Sequence, residues 1–234
     1  MKIIALIPVW HRFELLKLCL LSLSDIKEIE PIFIISPGEN EDVTNLCKQY
    51  RHIWYENLPL GAKLNHGISQ IMHLEFDYLM NFGSDNLINP ELIEIYMKIK
   101  DEFMGIDNFY LVDINLKKTA IFRFNNMNYS PGAGRLIHKS ILIQLLKKQK
   151  LYINKFNSGL DSCSADNIFC SLGIKQTIIK TNDEAYIIDI KTDQNINSFD
   201  SLCKIYDRIE YFEFDSIIDK FGKAGKQLKL LYYD

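Results

Sequence analysis

The chain has 234 residues, 47% of them hydrophobic and 24% charged, which suits one α/β domain with a substantial core and excludes disorder over most of its length. Acids and bases are well mixed and the formal net charge is −3, so there is no global pull toward nucleic acid or an anionic membrane, and any such partner needs a local patch. The five cysteines are scattered, without a Cys-x-x-Cys pair or zinc-like spacing, and read as reduced thiols of a cytoplasmic protein. Pro8 interrupts the apolar opening, His11 and Arg12 follow it, and no later apolar run reaches membrane length, so neither a signal peptide nor a transmembrane helix is expected.

In chain order, KIIALIP at 2–8 is a continuous apolar run of strand length, and ELLKLCLLSLS at 14–24 has the spacing of a helix face. PIFIIS at 31–36 repeats the strand signal, SPGEN breaks it, and EDVTNLCKQY reads as a second helix with acids at its positive end. RHIWYEN is a weaker strand. GAKLNHGISQIMHLEF places Leu64, Ile68, Ile71 and Met72 at helical spacing. FDYLMNF is another strand, GSDNLIN a loop, and PELIEIYMKIKDEF a helix with Pro90 in its first turn.

After about residue 105 the pattern loosens. FYLVDINL, TAIFRF, KQTIIK and AYIIDIK read as strands, KSILIQLLKKQ and SCSADNIFCSLG as helices, and NNMNYSPGAG as a loop. The stretch from 198 to 234 reads as a helical extension packed on the same domain. Apolar strands alternating with helices imply a mainly parallel sheet covered on both faces, with ligands beyond the carboxyl ends of its strands. PVWHR, SPGENED and GSDN each follow a strand and are therefore expected to converge on one crevice.

The order IPVWHR, SPGENED, LGAKLNHGI, FDYLMNFGSDNLINPEL and GLDSCSADNIF resembles family 2 of the GT-A glycosyltransferases over roughly the first 175 residues. That resemblance implies a GT-A catalytic domain over 1–197, with a nucleotide-sugar half at about 1–105 and an acceptor half at about 106–197. It implies a hexosyltransferase-like, inverting enzyme that takes a sugar from a nucleoside-diphosphate donor, a UDP-sugar foremost, with Mn or Mg assistance. In the family the fourth strand ends in a metal-binding Asp-x-Asp; here the position reads Gly83-Ser84-Asp85, so only Asp85 matches as metal ligand. A divalent cation held by a carboxylate is the usual way to stabilise a departing diphosphate.

The implied donor-side residues are Pro8, Val9, Trp10, Arg12, Ser36, Gly38, Glu39, Gly61, Lys63, Asn65 and Ser84. Lys63 opens a helix, where both the helix N-terminus and the ammonium favour an anion. The general base falls to an acid at a helix start in the second half: Asp161, with Asp166 as runner-up and Gly173 closing that helix. Asp161 reads equally well as a simple helix cap. Arg135, after the glycine-rich loop, is a candidate contact for diphosphate or acceptor. His66, His73 and His138 read as structural, and Lys220, Lys223, Lys226 and Lys229 as a solvated stripe.

The acceptor is left open among a glycan, a lipid-linked glycan, a protein and a modified viral DNA base. Two alternatives accompany this reading. A sugar nucleotidyltransferase would show a Gly-rich loop bearing Arg and Lys after the first strand, which PVWHRFE lacks. A degenerate, non-catalytic nucleotide-sugar-binding module would account for the missing first Asp.

Overall fold

A computed structural model describes residues 1–124, 128–147, 149–181, 184–193, 195, 197–205 and 209–234. Strands β1 (Ile3–Pro8), β2 (Ile29–Ile35), β3 (Arg51–Trp54) and β4 (Tyr78–Asn81) are parallel, with β1 between β2 and β4 and β3 outside β2. Helices α1 (Phe13–Leu23), α2 (Glu41–Cys47) and α3 (Leu60–Ile71) make the crossovers between them.

Along β1 the side chains alternate between two cores. Ile3, Ala5 and Ile7 meet Leu16, Cys19 and Leu23 of α1 and Val43 of α2. Ile4 and Leu6 meet Ile68 and Ile71 of α3 on the other face. Both faces are therefore dry, which is why β1 reads as an unbroken apolar run rather than an alternating one.

The sheet extends beyond β4 through strands that return from later in the chain. Helix α4 (Pro90–Ile99) ends on Lys100, which is left-handed at φ 58°, and the chain then enters β6 (Phe103–Ile106). β9 (Leu136–His138) lies antiparallel between β4 and β6, and β10 (Thr177–Ile179) closes the edge, giving the order β10-β6-β9-β4-β1-β2-β3. A second sheet has the order β12-β8-β7-β11-β5, from β5 (Asn86–Ile88), β7 (Asn108–Asp113), β8 (Lys118–Arg123), β11 (Ile187–Lys191) and β12 (Ile209–Glu210). The architecture is mixed α/β, with a mostly parallel central sheet and helices on both faces.

The short strands β6 and β5 differ from the sequence expectation. The helical pattern of 90–103 conceals β6 because the stop at Lys100 carries neither the Gly nor the Asn that usually marks a left-handed cap. β5 lies in the stretch expected as loop, where its pairing with β11 draws it into a sheet.

The C-terminal stretch contains α7 (Phe199–Ile205), β12, α8 (Asp215–Ile218) and α9 (Gly222–Tyr233). Its Phe214, Ile217, Phe221, Leu228 and Tyr232 share one apolar cluster with Leu15 and Leu18 of α1 and Ile188 and Ile190 of β11. Its helices are interrupted by β12, which pairs with β8.

Candidate active site

The carboxyl ends of β1 and β4 open into a cleft of about 420 Å³ whose lining includes Pro8, Trp10, Arg12, Lys63, Asp85 and Lys191. The turn after β1 is held in a demanding shape. His11 is left-handed at φ 55°, and its backbone N–H and Nδ1 reach Glu39 Oε1 at 2.8 and 3.0 Å. This turn sends Arg12 across to the loop after β4, where its Nη1 donates to Asp85 Oδ2 at 2.5 Å and its Nη2 to Ser84 Oγ at 3.1 Å.

Asp85 is held from its other side by β11. The Ile190 N–H donates to the Asp85 carbonyl at 2.9 Å, and Asn195 Nδ2 donates to Asp85 Oδ2 at 2.7 Å. Asp189 and Lys191, on the same side of β11, form an ion pair at 2.8 Å beside it. Burial pushes the Asp85 carboxyl up, but the charges of Arg12 and Lys191 and the Arg12 hydrogen bond outweigh it and hold the group below the usual carboxylate range. Burial wins at Asp189, which is pushed up to about 6, with Lys191 opposing and Asp85 adding to the rise.

Lys63 is 1% exposed. Its Nζ donates to the Val9 carbonyl at 2.8 Å and to Asn57 Oδ1 at 3.2 Å, and burial pushes its ammonium down to about 8 despite the opposing charge of Glu39. Ser36, at the end of β2, is buried, and among the described residues its Oγ and the second oxygen of Glu39 have no hydrogen-bond partner. Gly38 takes the left-handed turn, at φ 81°, that leads to Asn40, the N-cap of α2. The Trp10 ring lies against His11 at 4.0 Å between centroids.

A second cavity of about 200 Å³ adjoins the first and shares Pro8, Leu60 and Gly83 with it. Its walls are mostly apolar, and Asp161 is the charged group that reaches it. Asp161 opens a π-helical turn, Asp161–Ala165, that runs into α6 (Asp166–Ser171). Its side chain is 39% exposed, accepts from Asn81 Nδ2 at 3.2 Å and lies 3.8 Å from Arg135 Nη1. Asp166 is more enclosed, 18% exposed, and pairs with the same Nη1 at 2.7 Å; burial raises its carboxyl despite Arg135. Gly173 closes α6 as expected: at φ 67° it donates to the Cys170 carbonyl, and Ile174 donates to that of Phe169, the bonds of a Schellman cap.

Other expected site residues serve the scaffold in this arrangement. Asn65 exchanges hydrogen bonds with Tyr152 O and N at 2.7 and 3.1 Å and donates to Asn154 Oδ1 at 2.8 Å, tying α3 to the 152–154 segment. Arg135 is fully enclosed and is engaged by Asp166, the Ser130 carbonyl and the Phe103 ring, so it reaches a ligand only through Asp161 and Asp166. His138 caps helix α5 (Lys139–Leu146), His66 stacks on Tyr55, and Lys220, Lys223 and Lys229 pair with Glu184, Asp25 and Asp215 at the surface.

Sequence reasoning missed Asn81, Asp189, Lys191 and Asn195. For the strand pair a signal existed: Asp189 and Lys191 are alternate charged residues in an otherwise apolar strand, the pattern of one polar side facing a cleft.

The expected Mn or Mg needs oxygen donors at Asp85. One carboxylate can suffice when phosphates complete the shell. Here, however, Asp85 Oδ2 already receives Arg12 and Asn195, so only Oδ1 of that carboxylate remains, and the charges of Arg12 and Lys191 stand against a cation there. Among the described residues no three His, Cys, Asp or Glu side chains converge. The residues present do not fit a divalent cation at Asp85.

No family model matches the chain, and no curated protein matches it in sequence. Solved structures do match in fold. The S. aureus TarS 1–349 structure, a GT-A glycosyltransferase, superposes with a TM-score of 0.60 at 12% identity over 81% of this chain and 60% of that one. The chain spans 37% of a longer TarS structure. The 4-diphosphocytidyl-2C-methyl-D-erythritol synthase of Anaerococcus prevotii DSM 20548 superposes with a TM-score of 0.53 at 13% identity, over 87% of this chain and 96% of that one. These likenesses establish a fold shared by GT-A glycosyltransferases and nucleotidyltransferases.

Proposed function

We propose that the chain is a glycosyltransferase that moves a sugar from a nucleoside-diphosphate donor, a UDP-sugar foremost, to a hydroxyl acceptor with inversion. The observation that carries this reading is the adjacency of two unlike cavities: one bordered by Arg12, Lys63 and Lys191, the other holding the Asp161 carboxylate, with Pro8, Leu60 and Gly83 between them. The first suits a diphosphate. The second offers a proton acceptor at a distance from it, as attack from the face opposite the leaving group requires.

In this mechanism the acceptor oxygen forms its bond to the anomeric carbon while the bond from that carbon to the diphosphate oxygen breaks. The electron pair leaves on the diphosphate. The hydroxyl proton passes to Asp161, which Asn81 orients by its hydrogen bond to Oδ1. Asp166 is a positioning residue, enclosed beside Arg135. Pro8, Val9 and Trp10 border the place of the nucleoside, with Ser36, Gly38 and Glu39 behind that turn. Free thiols buried at Cys19 and Cys47 support a reducing, cytoplasmic setting. No helix among the described residues is long and apolar enough to cross a membrane.

A nucleotidyltransferase is the second reading, favoured by the synthase likeness over nearly its whole length. It calls for attack on phosphorus and gives Asp161 no role. The deciding experiment is a screen of nucleotide-sugars for nucleoside-diphosphate release and transfer to glycan, lipid-linked glycan, protein and hydroxylated-DNA acceptors. Nucleoside triphosphates, tested for pyrophosphate release, form the second arm. Diphosphate release lost in Asp161→Asn supports the glycosyltransferase; pyrophosphate release that survives Asp161→Asn overturns it. Nucleotide-sugar binding without release in either arm would leave only the non-catalytic binding module.

A further inference from the structure

We propose that the chain neutralises its donor's diphosphate with its own Arg12, Lys63 and Lys191, and that Asp85 serves to hold Arg12 in place rather than a divalent cation. This deepens the nucleotide-donor reading and rests on it.

Three observations carry it. First, Asp85 Oδ2 is filled: Arg12 Nη1 lies at 2.5 Å and Asn195 Nδ2 at 2.7 Å. A dication at that oxygen would have to displace a guanidinium, and one at Oδ1, the oxygen left over, would meet the positive charges of Arg12 and Lys191. Second, Gly83 is more than a missing ligand. A Cβ added there would lie 2.4 Å from Asp85 Oδ1 and 3.0 Å from Asn86 Oδ1, so the space that a first Asp would need is taken by the second. The loop is built around the absence of that side chain, and the Gly83 N–H is already bonded to Asn86 Oδ1 at 2.8 Å.

Third, the charge is supplied from three elements around one cleft. Arg12 comes from the turn after β1, Lys63 from the first turn of α3 and Lys191 from the end of β11, and all three border the same space. Asp85 and Asp189 balance Arg12 and Lys191 in the free protein, while Glu39 faces Lys63. Arg12 commits one N–H of each terminal nitrogen to Asp85 and Ser84 and keeps others of its five for a phosphate. As the sugar leaves, the electron pair that accumulates on the diphosphate oxygen meets fixed cations that need no reorganisation.

The test is calorimetric titration of the intact, chelator-treated chain with UDP, GDP and CDP, in EDTA and then in Mn or Mg. The expected result is binding in EDTA that changes less than about threefold when metal is added. Arg12→Gln and Lys191→Met should each weaken it about ten- to a hundredfold, the range for removing one charge-assisted hydrogen bond. Asp85→Asn should weaken it in EDTA as well, by releasing Arg12. Binding that requires Mn or Mg overturns this inference and leaves the glycosyltransferase reading standing. Binding of no nucleotide in either buffer overturns both. Because the wild-type comparison needs no substitution, a variant that fails to fold does not spoil the test.

Discussion

Replacing Gly132 by alanine separates a base that must be accurately placed from one that merely lines a cavity. A Cβ at 132 would lie 2.0 Å from Asp161 Oδ2, 2.4 Å from its Cγ and 2.7 Å from Oδ1. Carbon and oxygen in contact need more than 3 Å, so the carboxylate must retreat by roughly 1 Å, which a half-exposed side chain can do by rotating. The fold therefore loses little, and the expected change in Tm is within a few degrees. Turnover should fall about a hundredfold, because a displacement of that size at a reacting group costs this much, equivalent to roughly 2.7 kcal/mol in the barrier. Donor binding should be unchanged, since the cations lie in the adjoining cleft. The assay is nucleoside-diphosphate release from the preferred donor, read beside calorimetric affinity and thermal unfolding, with Asp161→Asn as reference. Full turnover in Gly132→Ala would refute the placement of the base. A tenfold loss of donor affinity would refute the division between the two cavities.

Lys63 gives a pH prediction whose sign follows from its depressed pKa. The buried ammonium titrates near pH 8, below an unfolded lysine, so between about 8 and 10.5 the unfolded chain binds the extra proton and this group's contribution to stability rises with pH. Diphosphate binding should move the other way, weakening up to about tenfold per pH unit above the midpoint, and calorimetry from pH 7 to 9.5 should find this slope flattened in Lys63→Met. Gly61→Ala places a Cβ 2.3 Å from the Ile153 carbonyl, backbone that cannot rotate away, so a loss of about 1–3 kcal/mol is expected in urea unfolding. Leu228→Ala, in the fully buried C-terminal cluster, should cost about 2–5 kcal/mol in one cooperative transition. A separate early transition would show instead that 198–234 melts on its own.

The parallel half of the fold was legible because its signals are local. Two-sided burial writes β1, β2 and β4 as apolar runs, and the caps are written beside their helices: Asn40 accepts from the Asp42 and Val43 N–H groups, and Asn89 with Pro90 opens α4. Of the three strand-end segments, Pro8 to Arg12 and Ser84–Asp85 line one cleft with Lys63, whereas Ser36, Gly38 and Glu39 do not line it and reach the site through the Glu39 bonds to His11. What decided their partners was not local. Arg12 and Asp85 are 73 positions apart and meet because β1 lies beside β4, while Asp85 and Asn195 are 110 apart and meet only through the register of β11 on β5 and β7. Arg135 escaped for a different reason. Arginine is seldom fully enclosed, and its enclosure depends on two acids from a turn that sequence periodicity reads as ordinary helix.

That turn explains why two carboxylates five residues apart serve one guanidinium. On a regular α-helix, residues five apart are offset by roughly 140°, so Asp161 and Asp166 would point to different neighbours. The wider turn, with the Ala165 N–H donating to the Leu160 carbonyl at 3.0 Å and that of Asp166 to Asp161, stacks residues five apart on one face instead. Both acids then reach Arg135 Nη1, but unequally, at 3.8 and 2.7 Å. The nearer, enclosed acid supplies most of the countercharge that a fully buried arginine needs. The farther one is spared that duty and keeps an oxygen in the cavity, close to a charge that fixes its orientation without capturing it, which is the condition a proton acceptor has to meet.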